Sequence, residues 1–176
     1  RNPENVDPAV YWGKPRQTRE VTKRQQFFAH ALVDAGADLV LCQRLHMLQG
    51  TEIYQGKPIV YSLADFVYGN YDKQYTRIIA PKMTFCEGEL KLIELIPVWV
   101  GNPEAKYQPK ILNGELAKLA LENYQVLCKE LNTEMVIESS KGFIYPKPTK
   151  SHSKQDAFGI GDYVEKTRGD RSQKVI

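Results

Sequence analysis

Histidine and cysteine are scarce in this sequence, with three of each among 176 residues. The cysteines, Cys42, Cys86 and Cys128, form neither a CxxC pair nor a metal-finger spacing, which excludes a disulfide-built or zinc-finger fold. Each lies in an apolar run, where a small buried thiol is expected. Long hydrophobic runs are missing too. The longest are about the length of a strand, far short of the roughly 20 residues a membrane-spanning helix needs. No internal repeat is present, and Gly159-Ile160-Gly161 leads into no helix, so there is no phosphate-cradling loop. The serines, Ser62 included, have no His–Asp company, which leaves nucleophilic catalysis unsupported. The chain opens on Arg1-Asn2-Pro3 without methionine or a charged-then-apolar leader, and reads as a processed chain or a piece of a longer one.

What is present is the balance of a globular protein, 42% hydrophobic and 26% charged residues, at a length that fits one domain of roughly 100–200 residues. The net charge of +3 is unevenly spread. From Ser139 to Ile176 there are eight Lys/Arg and four Asp/Glu; the remaining 138 residues hold 16 basic and 17 acidic side chains. A neutral body, residues 1–138, therefore precedes a basic arm, residues 139–176, rich in Pro, Gly, Ser and Lys and without periodicity. No aromatic-rich basic motif accompanies the arm, which argues against specific nucleic-acid binding. An arm with few apolar anchors gains order only against another surface, so Ser139–Ile176 is the expected partner-binding segment.

Periodicity predicts a helix from Thr18 to Ala35, with Val21, Phe28, Ala31, Leu32 and Ala35 on its apolar face and Gly36 at the left-handed cap position. Asp38–Cys42 reads as a buried strand. Gln55-Gly56 and Glu87-Gly88 are tight-turn signals, each flanked by strand-like runs, and predict two hairpins. A second helix is expected from Asn113 to Leu131, with Leu116, Leu119, Ala120, Leu127 and Leu131 on one stripe. Helix, glycine and buried strand together indicate an α/β fold with helices laid on a mixed sheet.

Residues 10–68 carry a longer signal. The stretch VYWGKP, followed by AHALVDAGADLVLCQRLHMLQGTEIYQGKPIVYSLADFVYG, resembles the second half of CapA-type capsule and poly-γ-glutamate biosynthesis proteins. In that family the pattern runs HWG, then D-A-G-A-D-(L/V)-V-I-G-H-x-P-H-V-L-Q-G, then G-K-P-I-x-Y-S-L-G-N-F. RIIAPKMTFCEGELKLIELIPVWV and the helix from Asn113 are similar to its closing hairpin and helix, so the resemblance covers about residues 10–138. The family is similar to calcineurin-like metallophosphoesterases. The resemblance implies half of a four-layer α-β-β-α sandwich, with divalent metal held at one sheet edge and used for metal-assisted hydrolysis.

The sequence departs from that pattern at the ligands. Tyr11 stands for the HWG histidine, Gln43 for the first histidine of G-H-x-P-H, and Asp65 for the asparagine of S-L-G-N-F, with Ala64 in place of its glycine. Only His46 remains from the pair of histidines. The Asp-x-His and Gly-Asn-His motifs of the family's first half are not found: Phe28, Arg44 and Lys150 stand two residues before the three histidines, and Gly69-Asn70 and Gly101-Asn102 are followed by Tyr71 and Pro103. The resemblance therefore implies a degenerate former site of Tyr11, Gln43, Arg44, His46 and Asp65.

Each of these residues also has a plainer reading. A lone histidine after a buried strand is more often hydrogen-bonded structure than a ligand. Arg44 opposes a cation by charge but is suited to hold an anion through its planar fork. Asp65 is expected to pair with Arg44, and Tyr11 and Trp12 to pack at a sheet edge.

The expectation is a non-catalytic CapA-like domain, a pseudoenzyme without a cofactor, serving as a structural or binding subunit with other protein chains. The alternative is a capsule or polyglutamate biosynthesis factor, or a metallophosphoesterase with a divalent metal, completed by another chain. The resemblance points to the bacterial cell envelope, with an organelle complex as the other location. Ile59, Val60, Leu92, Ile93, Leu95, Ile96 and Val98 cannot all face inward on a period of two, which predicts a second apolar sheet face left open for a partner.

Overall fold

A computed structural model describes residues 19–43, 45–66, 77–102 and 105–146. Helix α1 (Lys23–Asp34) begins later than periodicity predicts because Thr22 caps it. The Thr22 hydroxyl accepts from the Gln25 amide at 3.2 Å, and the Gln25 side chain accepts from the Thr22 amide at 2.9 Å, a capping box that satisfies two otherwise orphaned donors. At the other end Gly36 adopts φ +105°. Its N–H donates to the Val33 carbonyl and that of Ala37 to Leu32, the paired bonds of a Schellman cap, which needs a residue tolerant of the left-handed region.

The three-stranded sheet has the order β1-β3-β2, built from β1 (Val40–Leu41), β2 (Leu48–Tyr54) and β3 (Lys57–Leu63). Strand β1 runs parallel to β3, and β2 antiparallel. The β2–β3 turn falls on Gln55 and Gly56, both at positive φ, the primed turn that matches the twist of the strands. The same geometry at Glu87-Gly88 joins β4 (Arg77–Cys86) to β5 (Glu89–Trp99). Those strands lie in an antiparallel sheet of order β4-β5-β8-β7, with β6 (Lys110–Ile111) also on β5. Helix α2 (Gly114–Glu130) precedes β7 (Val136–Glu138) and β8 (Lys141–Ile144). Both predicted hairpins and the β1 strand are thus present. The fold is α/β with mixed sheets and two flanking helices, as in half of a calcineurin-like sandwich.

Three expectations are corrected. Of the apolar face assigned to α1, Val21 packs on the core, but Phe28 is 47% and Leu32 54% exposed, while Ala29 and Val33 are buried. Polar bonds to β2 set the helix's rotation, and hydrophobic periodicity does not register them. Gln25 donates to Gln49 at 2.9 Å, and His30 Nε2 lies 3.0 Å from both carboxylate oxygens of Glu52. Tyr61, fully buried, donates to the same carboxylate at 2.6 Å; burial first, then Glu52, pushes its phenol up.

On α2 the buried stripe is Ala117, Ala120, Leu121, Tyr124, Leu127 and Cys128, whereas Leu116 and Leu119 are exposed. Here too a polar contact fixes the face, the Thr51 hydroxyl meeting the Tyr124 hydroxyl at 2.7 Å. Among the cysteines Cys128 is buried, its thiol pushed up to about 12 by burial, but Cys86 is exposed at the end of β4.

The third correction concerns the arm and the open face. Residues 139–144 are not arm: β8 pairs with β5 (Ile93↔Ile144, Leu95↔Gly142) and places Ile144 in the core. Residues 147–176, the rest of the arm, lie outside the described residues. Ile59 and Val60, on opposite faces of β3, are both fully buried within this chain. Helix α1 covers the Ile59 and Tyr61 face, and the three-stranded sheet also meets β4, β5 and α2. On the face of β5 that carries Glu94, Leu92 and Ile96 are half-buried, Ile96 packing against the cluster of Ile78 and Val98. Between them Glu94 bridges Lys82 on β4 at 3.4 Å and Lys141 on β8. Lys141's hydrogen bond, assisted by Lys82, holds the Glu94 carboxyl below the usual carboxylate range. A cross-strand charge ladder is a normal water-facing surface.

The core runs under both sheets. Its largest cluster gathers Ile79, Ile93, Leu95, Leu121, Tyr124 and Ile144. Helix α2 closes the free edge of β2 as well: the Thr51 amide donates to Cys128 Sγ at 3.5 Å and the Ile53 amide to the Thr133 hydroxyl at 3.2 Å. Covering an edge in this way satisfies ladder donors that would otherwise invite pairing.

Candidate functional site

In open α/β folds, the loops leaving the carboxyl ends of parallel strands are where ligands gather. Here β1 delivers Gln43 and, three residues on, His46; β3 delivers Ala64 and Asp65. The structure brings Gln43, His46 and Asp65 together, while Tyr11, Trp12 and Arg44 lie outside the described residues. The expected Asp65–Arg44 pair therefore also lies outside them.

His46 Nδ1 donates to Asp65 Oδ1 at 2.6 Å. Asp65 is deeply placed, its side chain 6% exposed against 23% for His46, so the pair is drawn largely out of water, where a charge-assisted hydrogen bond gains strength.

Gln43 bonds to the main chain at both ends of its amide. Its Nε2 donates to the Ala64 carbonyl at 2.7 Å, and its Oε1 accepts from the Leu63 amide at 3.3 Å. Ser62 completes the brace, its hydroxyl donating to the Leu45 carbonyl and accepting from the Ala64 amide, each at 3.2 Å.

That brace holds a strained residue. Ala64 has φ +55° and is 2% exposed, a left-handed conformation that costs a residue with a Cβ about 1 kcal/mol. The glycine of the family pattern at this position now has a physical reason, since glycine adopts that region freely. Ala64→Gly is expected to change stability by no more than about 1 kcal/mol in either direction, with relief of strain offset by added chain entropy. The same substitution at Ala117, buried in α2, costs about 1 kcal/mol or more. Urea midpoints of the two variants check this contrast.

Whether these groups suit a dinuclear metal centre follows from the donors. Among the described residues no set of three or more His, Cys, Asp or Glu converges to hold a metal ion. A dinuclear centre draws several carboxylate and imidazole ligands from different strands, whereas Gln43 is a neutral amide with both ends bound to the main chain. Gln43, His46 and Asp65 do not fit such a centre.

Arg19 and Arg77, which flank this site, were not among the candidate site residues of the sequence, although Arg77 opens the stretch read as the second hairpin. They lie 58 positions apart in the sequence and line one cavity in the fold.

The sequence model of the family described as bacterial capsule synthesis protein PGA_cap matches residues 8–70. The capsule biosynthesis protein CapA of Bacillus anthracis is 36% identical over 76 residues, which cover 43% of this chain and 18% of that protein. The PGA biosynthesis protein CapA of Bacillus subtilis (strain 168) is 37% identical over 67 residues, 38% of this chain and 17% of its own length. An uncharacterized protein, y4sH, of Sinorhizobium fredii is 48% identical across an alignment of 172 positions, covering 68% of this chain and 36% of the relative. The chain thus spans less than a fifth of the CapA relatives it matches. No helix among the described residues is long and apolar enough to cross a membrane. Residues 8–70 are thus similar to part of a CapA-type capsule synthesis domain.

Proposed function

We propose that this chain is a non-catalytic CapA-like domain that serves as a binding or structural part of a larger protein assembly, its former metal site converted into a hydrogen-bonded brace. The observation that carries the reading is Gln43. At the position of a family histidine it ties β1 to the backbone of Leu63 and Ala64 at both ends of its amide. A side chain so committed stabilises the loop and offers no imidazole to a cation. His46 and Asp65 extend the brace by bonding to each other. A part in capsule biosynthesis, alongside further protein, is the setting the family match supports.

The test is metal content together with hydrolysis. Purified chain, incubated with manganese or zinc and desalted, is expected to hold no stoichiometric pair of ions. It should cleave bis(p-nitrophenyl) phosphate at the background rate. Gln43→His alone should not rescue activity. Two bound ions per chain with metal-dependent turnover that Asp65→Asn abolishes would overturn the proposal.

A further inference from the structure

Where the two sheets and α2 meet lies a cavity of about 190 Å³. Arg19, just ahead of α1, and Arg77, the first residue of β4, line it with His46 and Asn123, over an apolar wall that includes Leu48 and Leu127. No acidic side chain among the described residues lines it. Neither arginine has a carboxylate partner among the described residues. Arg19 and Arg77 bring two positive charges to the lining of one small cavity, and an anion held there is attracted to both.

Guanidinium forks match the planar oxygens of carboxylates and phosphates, and the amide of Asn123 adds a neutral donor. The Leu48 and Leu127 wall asks for carbon rather than a bare ion. The volume lies below the 300–1,000 Å³ of pockets that take drug-sized molecules, so the occupant is small. We infer that this cavity is a binding site for a small organic anion, a carboxylate or phosphate with a short aliphatic stem, clamped by Arg19 and Arg77. The inference goes beyond the non-catalytic reading and needs neither metal nor turnover.

The full chain, in low salt with a chelator present, is titrated calorimetrically with butyrate and with butyl phosphate. Saturable one-to-one binding of at least one probe is expected. Arg19→Gln and Arg77→Gln should each weaken it about tenfold or more, the effect of losing a hydrogen bond to a charged group. Lys129→Gln, the same charge change on an exposed residue that does not line the cavity, should leave affinity within about twofold, because a charge that touches no ligand atom acts only weakly through water. Tighter binding of butyl phosphate identifies the phosphate as the favoured head group, and tighter binding of butyrate the carboxylate. Either ranking supports the site. Both arginines are exposed, so their variants should melt with the wild type. Absence of saturable binding, or Arg variants that lose no more than Lys129→Gln, would overturn the assignment. Because no metal enters the measurement, that failure leaves the non-catalytic reading standing, and activity in the hydrolysis assay leaves the anion site standing.

Discussion

Gly50→Ala should cost about 3 kcal/mol of unfolding free energy, the upper end of ordinary overpacking. Gly50 sits fully covered in β2 where α2 comes closest. A Cβ there would collide with the Leu127 carbonyl, 2.7 Å from its carbon, and would lie 2.9 Å from Leu131 Cδ1. The obstacle is helix backbone, and that backbone is anchored: Tyr124, about one turn before Leu127, and Cys128, the residue after it, both bond Thr51. Relief requires moving α2 as a body.

Gly142→Ala is the matched control. Its Cβ would meet the terminal methyl of Met135, a flexible side chain able to swing aside, with Leu121 Cδ2 at 3.2 Å and Leu95 Cβ at 3.3 Å still in place. That change should cost about 1 kcal/mol, the low end of the same range. Urea unfolding of the two variants decides it. Equal losses would show that α2 slides along β2 and is not locked there.

The sequence made the local elements legible because each had a local cause. Gln55-Gly56 and Glu87-Gly88 are turn chemistry, and Gly36 is a cap; all three act where the sequence puts them. The faces of the helices were less legible. Periodicity counted Phe28, Leu32, Leu116 and Leu119 as inward, yet these are the exposed residues. Beside Val33, Leu121 and Leu127, the inward faces carry small or polar side chains, Ala29, Ala117, Ala120 and Tyr124, set by close approach and by bonds to Thr51 and Glu52 that hydropathy does not register. Strand β8 was hidden for a related reason, since Lys141-Gly142-Phe143-Ile144 is short and sits among residues with a loop-like composition. Its glycine lies close against Met135, Leu121 and Leu95 and serves no turn.

The candidate site divides in the same way. Gln43, His46 and Asp65 stood out because a long motif surrounds them and they break it. Their roles depended on distances: His46 pairs with Asp65, and Gln43 braces Ala64, whose positive φ no residue pattern announces. Nothing in the sequence links Arg19 to Arg77, and folding places them on one cavity.

Thr51→Val is expected to destabilise the protein by about 2 kcal/mol, because it leaves the Tyr124 hydroxyl unpaired inside the core. Tyr124 is 2% exposed and Thr51 fully buried, so no water replaces the lost partner. Tyr124→Phe, which strands the Thr51 hydroxyl instead, should cost about 1–2 kcal/mol. The double variant removes both hydroxyls and leaves neither unsatisfied. It should therefore be more stable than the sum of the single losses predicts, with a coupling of about 1 kcal/mol or more.

The phenol also gives the pair a signature in pH. Burial, then the neighbouring Cys128, pushes the Tyr124 phenol above its ordinary value near 10. A group whose folded pKa is raised contributes its full stability below the unfolded value and loses it as pH rises toward the folded one. Above pH 10 the unfolded chain therefore sheds a proton that the native chain keeps, and stability falls by up to about 1.4 kcal/mol per pH unit for that group. Tyr124→Phe removes this share, so its stability should decline less steeply between pH 10 and 11 than that of wild type. Urea unfolding across that interval, run on the wild type, both single variants and the double variant, measures coupling and slope together. Additive losses with an unchanged alkaline slope would mean that Thr51 and Tyr124 do not hold α2 against β2.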